Sequence, residues 1–311
     1  MLDIFLQTLP FFAVIGVGYA AGRTGFFTDE ATVYLTKFVF YFALSAMIFR
    51  FAANLSLAEI LDWNFVAAYF CASFVVYVAA TIVGLVRGIG VAEAAVEAQC
   101  AVIGNVGFLG IPMLALLLGE AAVGPIMLIL AVDLIFFGSL IVIFITGSRD
   151  GRMSLGILRT VGLGLVKNPM IVSIVLGLIV SSYALPIPRP VNEFLTILGG
   201  AATPGALFAI GASLASKSAE RVSIAVWLSS CKLFLHPAAV AISALLIFAV
   251  DPYAAGVMIA AAALPVAGNV FMIAKHYEVA PTRVSAAILI STAASVLTVS
   301  GVIAWVSTLT N

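Results

Sequence analysis

Hydrophobic residues in this chain run in blocks of roughly 18 to 28 residues, each long enough to cross a hydrocarbon core of about 30 Å as a helix. Charged residues fall in the short intervals between the blocks. The pattern predicts ten helices, near residues 4–22, 31–52, 64–86, 92–118, 122–146, 169–185, 194–216, 222–248, 253–274 and 283–308. Connections are short and rich in turn residues, as at Gly22-Arg23-Thr24-Gly25, Leu185-Pro186-Ile187-Pro188 and Asp251-Pro252, so no soluble domain is inserted. The longest, 147–168, carries Arg149, Arg152, Arg159 and Lys167 and reads as an interfacial connector between two halves. The expected organisation is a first five-helix repeat over 1–146, a cytoplasmic connector over 147–168 and a second five-helix repeat over 169–311.

Basic residues set the orientation, because short basic loops stay cytoplasmic. Taking alternate loops, one side collects Arg23, Arg87, the four connector residues, Lys217, Arg221, Lys275 and Arg283, and the other only Arg50 and Arg189. Both termini are therefore expected outside the cytoplasm. An even helix number agrees with that, and a first half of five helices must be inverted relative to the second.

Composition supports the same class. Of 311 residues, 64% are apolar and 9% charged, against about half and about a quarter in a soluble domain. The net charge is zero, without the basic patch of a nucleic-acid binder. Cys71, Cys100 and Cys231 lie singly in apolar segments and show neither a disulfide framework nor a zinc spacing. The start of the chain lacks a basic region and a cleavage site, so its first apolar block is read as retained.

Two blocks carry matching interruptions. The fourth contains Gly104-Asn105-Val106-Gly107-Phe108 and then Pro112, and the ninth contains Pro265-Val266-Ala267-Gly268-Asn269-Val270-Phe271. Both fall at mid-block and at equivalent places in the two halves, as in inverted-repeat transporters with discontinuous helices. Proline removes a helical hydrogen bond and crowds the carbonyl four residues back, so Pro112 should disturb Phe108 and Pro265 should disturb Ala261. Non-helical backbone at that depth is tolerated only where it is buried in protein or lines a cavity. Each break exposes helix N–H groups suited to an anion and carbonyls suited to a cation. Asn105 and Asn269 add amides able to hold a carboxylate; their plainer role is interhelical hydrogen bonding. The substrate-site candidates are thus Asn105, Asn269, Gly104, Val106, Gly107, Pro112, Pro265, Gly268 and Val270, with Ser45 from the second block, which pairs loosely with Pro204-Gly205-Ala206-Leu207 in the seventh.

Ionisable residues inside apolar blocks are costly and are candidates for function. Asp133 lies centrally in the fifth block, Glu97 two turns before Asn105, and Lys232 and His236 share a helix face at i, i+4. These four are coupling or gating candidates; the alternative for each is a buried structural pair or, for Lys232, a side chain reaching toward the interface. Gly16-Val17-Gly18-Tyr19-Ala20-Ala21 imitates a dinucleotide loop but sits within an apolar block, where it reads as helix-packing glycine. With two histidines, His236 and His276, no Ser/His/Asp constellation or His-Glu-x-x-His metal motif can be assembled. No catalytic residue, metal ligand or cofactor is expected beyond a coupling sodium ion or proton.

The chain resembles the auxin efflux carrier family, which includes bacterial malonate-type carriers and the plant PIN-FORMED carriers. The resemblance runs through the Phe11 to Gly22 block, Leu35-Thr36-Lys37-Phe38-Val39-Phe40-Tyr41, Gly104 through Pro112 with its Asn-x-Gly-x-x-Gly-x-Pro element, Lys167-Asn168-Pro169 and Pro204 through Gly211. Ser45 stands where many members carry proline. The resemblance implies an all-α fold of ten helices similar to bile-acid symporters and sodium–proton antiporters, with scaffold and transport domains drawn from both repeats. It also implies a site where the fourth and ninth helices cross, organic anions as substrates and the two asparagines as carboxylate ligands. The leading expectation is alternating-access transport of a small organic carboxylate across a bacterial inner membrane, the lipid bilayer and the anion being the partners, with a homodimer as the assembly to test. An anion channel or uniporter is the alternative; no ring-forming filter motif is present to favour a channel. A membrane-embedded enzyme ranks below both.

Overall fold

The computed structural model describes residues 2–55, 61–150, 155–216 and 222–309. Arg152, Lys217 and Arg221, three of the basic residues counted above, lie outside these. The described chain is helical throughout, apart from one isolated bridge between Gly104 and Val266. Among the described residues, seven helices are long and apolar enough to cross a bilayer: Phe5–Arg23, Asp29–Ala53, Trp63–Val86, Glu120–Ser148, Arg189–Ala215, Val222–Ile247 and Pro281–Val306. Large aliphatic side chains such as Leu116, Ile197, Leu246 and Leu297 stand exposed on helix flanks, which in water would be an aggregating surface and in lipid is the solvated one. The protein is a multi-pass membrane protein.

Two further stretches are interrupted. Val91–Val102 leads into an extended break at Ile103–Asn105 and then Val106–Leu118; Pro252–Ala262 is followed by a break and then Gly268–His276. The connector holds more structure than its composition suggests. Its Leu155–Lys167 helix ends at Asn168, whose side chain caps the next helix by accepting from Met170 N–H at 3.0 Å, and that Pro169–Ser182 helix is bent by 66° from the segment before it.

Helix contacts sort into two groups. Leu2–Arg23 packs along Ala202–Ala215, and Leu44–Ala53 packs against Pro169–Ser182 and Arg189–Gly200. Trp63–Val86, Val91–Val102, Glu120–Ser148, Val222–Ile247, Pro252–Ala262, Gly268–His276 and Pro281–Val306 form the second group. The first group relies on close backbone approach. A Cβ on Gly18 or Gly211 would collide with the backbone of Phe208 or Ile15 on the facing helix, the small-residue packing expected where lipid supplies no hydrophobic drive between helices. The groups meet where Thr8 and Ser300 hydroxyls hydrogen-bond at 2.8 Å.

Among the described residues there are five π-turns, four within the long helices at Val39–Ala43, Asp133–Phe137, Cys231–Leu235 and Ser243–Ile247, and one, Val106–Gly110, at the start of Val106–Leu118. Two of them, 106–110 and 231–235, end two residues before Pro112 and Pro237. The wider i→i+5 turn shifts the hydrogen-bond register just ahead of a residue that cannot donate. Pro112 is absorbed in this way, so the fourth stretch breaks not at Pro112 but at Ile103–Asn105, whereas Pro265 lies within its break.

Candidate functional site

The two breaks cross and pair. Asn105 N–H donates to the Pro265 carbonyl at 2.8 Å, and Ala267 N–H donates to the Ile103 carbonyl at 3.1 Å. These bonds satisfy backbone groups that neither broken helix can satisfy alone, which is what permits extended chain here. Ser291 Oγ, from Pro281–Val306, accepts from Val266 N–H at 3.1 Å and closes the crossover on its far side. The Asn105 carbonyl accepts from Leu109 and Gly110 N–H and starts the helical run that follows.

A small cavity of about 30 Å³ lies against the crossover. Gly104, Asn105, Gly107, Gly268 and Asn269 line it, together with Asp133 from the Asp133–Phe137 turn. Phe40 and Met170 close its other wall. Those two belong to the first helix group, so the cavity sits between the groups. Phe40 also stacks on Phe108 across that boundary, with centroids 6.3 Å apart and planes within 4°. Gly107 has no room for a Cβ, which would press on the Met170 methyl. Helical runs begin at Val106 and at Gly268, so both present N-terminal amides at the cavity, an arrangement suited to a negative group.

Buried polar side chains stand around this cavity. Asp133 is 3% exposed; its Oδ1 accepts from the Tyr69 hydroxyl at 2.8 Å, and its Oδ2 is buried without a hydrogen-bond partner among the described residues, as is Asn269 Oδ1. Lys232, fully buried, donates to the Ala262 carbonyl at the end of Pro252–Ala262 and contacts His236 Nδ1 at 3.2 Å, while His236 Nε2 meets Ser73 Oγ at 2.9 Å. Gly104 allows this approach, since a Cβ there would stand 3.2 Å from Lys232 Cε and Nζ. Lys232 and Asp133 form no direct ion pair among the described residues.

Of the residues singled out in sequence, Asn105, Asn269, Gly104, Gly107, Gly268 and Asp133 converge on the cavity. Lys232 and His236 lie directly behind it. Pro265 contributes its carbonyl to the crossover, whereas Val106 and Val270 are buried in packing and Pro112 begins the next helix, none of them lining the cavity. Ser45 bonds back to the Phe40 carbonyl at 3.0 Å and is also absent from the lining. Glu97 is held elsewhere. It accepts from Arg87 through two bonds of 2.8 and 2.9 Å and from Arg283 at 3.0 Å, and Arg283 also reaches Glu93 at 2.9 Å. Tyr69 and Ser73 escaped the sequence reading, though their i, i+4 spacing in an apolar helix was a signal. Phe40 and Met170 carried none.

A broken-helix crossover beside a cavity that lies between two helix groups and carries a few polar side chains is the architecture of a membrane carrier. The chain matches the family described as membrane transport protein over residues 3–303, and it belongs to that family, the auxin efflux carrier group; it is a transporter and not an enzyme. A protein of Rhizobium meliloti (strain 1021) named "Putative malonate transporter" is 31% identical to it over 310 residues, covering 97% of this chain and 96% of the relative.

Proposed function

We propose that this protein is a secondary transporter that carries a small organic carboxylate across the bacterial inner membrane by alternating access, with the carboxylate bound at the crossover by Asn105 and Asn269. The observation that carries this reading is the convergence of both asparagines and two helix starts on one cavity that lies between the helix groups. Amide donors and helix N-terminal N–H groups complement a carboxylate without adding a fixed counter-charge. The name of the Rhizobium meliloti relative favours a malonate-sized anion.

On this reading the seven long helices, the two broken stretches and Pro169–Ser182 are ten membrane-crossing segments in two inverted halves. The first helix group is the scaffold and the second the transport domain. Displacement of the second group, with parting of Phe40 from Phe108, opens the cavity first to one side and then to the other. Arg87 and Arg283, from two different predicted cytoplasmic loops, bind the same Glu97, which supports putting both loops on one face and the termini opposite.

The test is binding of malonate, succinate, acetate and benzoate to the purified chain by thermal shift, in which a ligand of the folded state raises stability as ln(1 + [L]/Kd). At least one acid is expected to stabilise the wild type. Asn105→Ala and Asn269→Ala should each weaken its binding by about tenfold to a hundredfold, the loss of a hydrogen bond to a charged group of about 1.5–3 kcal/mol. Wild-type affinity in both variants would refute the site.

A further inference from the structure

The polar groups behind the crossover have a charge balance that a bound carboxylate upsets. An ammonium has three donors and no acceptor, so in the contact with Lys232 the His236 Nδ1 accepts, and Nε2 carries the hydrogen that goes to Ser73 Oγ. His236 is therefore the neutral imidazole. The other titratable group on Asp133 is the Tyr69 phenol, which donates to Oδ1. The remaining packed elements bring only neutral side chains to the cavity: Phe40, Met170, Asn105 and Asn269. Glu97 is closed on Arg87 and Arg283, Lys275 and His276 are exposed at the end of their helix, and the thiols of Cys100 and Cys231 lie outside the lining.

With Asp133 ionised and Lys232 protonated, the unloaded site is balanced, one negative group against one positive. A carboxylate between the asparagines adds negative charge where no further cation stands, and buried unpaired charge is strongly disfavoured. It also faces Asp133, whose Oδ2 is buried with no hydrogen-bond partner. We propose that one proton enters with the substrate and is held on Asp133 Oδ2, an inference that rests on the carboxylate reading above.

The proton offsets the charge of the carboxylate held between the asparagines and turns Oδ2 from an unpartnered acceptor into a donor in the wall of the cavity. It is taken from water on the side of loading and returned to water on the side of release, an O–H bond forming and breaking at the same oxygen. Transport is then anion–proton symport. Sodium is the rival cation, but the helix-end carbonyl of Ala262 that would receive it already accepts from the tethered Lys232 ammonium.

Malonate titrated calorimetrically into the purified full chain, in two buffers of different ionisation enthalpy, reads the proton directly. At pH values where malonate itself is fully ionised, the wild type should take up about one proton per malonate, with affinity there rising up to about tenfold per pH unit as pH falls, because the loaded state holds the extra proton. Replacing sodium by choline should change nothing. Asp133→Asn should bind without proton uptake and with a flat pH profile. Should that variant misfold, Tyr69→Phe serves instead: losing the hydrogen bond to the ionised carboxylate disfavours that form, so the pH dependence should move upward. Binding without proton uptake, sodium-dependent binding, uptake unchanged in Asp133→Asn, or an unmoved profile in Tyr69→Phe each overturns the inference. Failure of malonate, acetate, succinate and benzoate alike to bind the wild type overturns the carboxylate reading itself, and this inference with it.

Discussion

Replacing Glu97 by glutamine should destabilise the protein while leaving substrate affinity intact. The carboxylate is buried, at 2% side-chain exposure, and receives two bonds from Arg87 and one from Arg283. Removing one member of a buried charge network costs about 3–5 kcal/mol, because the partners keep their charge without its compensation. Two features put this case at the lower end. Arg283 retains Glu93 at 2.9 Å, and Arg87, 30% exposed, can turn toward water. The expected cost is about 3 kcal/mol, roughly a hundredfold in the folded-to-unfolded ratio. Denaturant titration in detergent measures it, and the double variant Arg87→Gln/Glu97→Gln should recover part of the loss, with a coupling of about 1–3 kcal/mol. A cost below about 1 kcal/mol, or no coupling, would refute the account of Glu97 as a buried structural latch. So would a Glu97→Gln protein that folds normally but has lost malonate binding or its pH dependence.

Other outcomes follow from the geometry. Gly211→Leu should impair folding, since overpacking a tight core site costs about 1–3 kcal/mol or more and even a Cβ there meets the Ile15 backbone, whereas Gly16→Ala, which meets nothing within 4 Å, should be neutral in expression and thermal melting. Asn105→Asp should bind malonate worse than Asn105→Ala, because it replaces amide donors by like charge; an Asp variant that binds better, in titration calorimetry, would turn the site from anion to cation. In a background free of native cysteines, Tyr183→Cys should react with an impermeant thiol reagent in intact cells and Thr24→Cys should not; the reverse pattern would overturn the orientation read from the basic loops.

What could be read from sequence and what could not divides along the range of the forces concerned. Helix length against bilayer thickness is a local property, so membrane insertion and the places of the long helices were legible in the apolar blocks. The repeated Gly-Asn-Val elements likewise marked two breaks, because glycine, proline and a buried amide disrupt a helix wherever it lies. Chain order does not say that Asn105 N–H finds the Pro265 carbonyl across the membrane interior. That pairing exists because each broken segment leaves backbone groups that lipid cannot satisfy, and the other break lies within reach. The same holds for the charged residues. Glu97 and Asp133 look alike in sequence, each a carboxylate within an apolar block, Glu97 sharing its block only with Glu93. Packing alone brings two arginines to the first and leaves an oxygen of the second unpartnered beside the cavity, because the fate of a buried charge is set by what the tertiary structure places within a few ångströms of it.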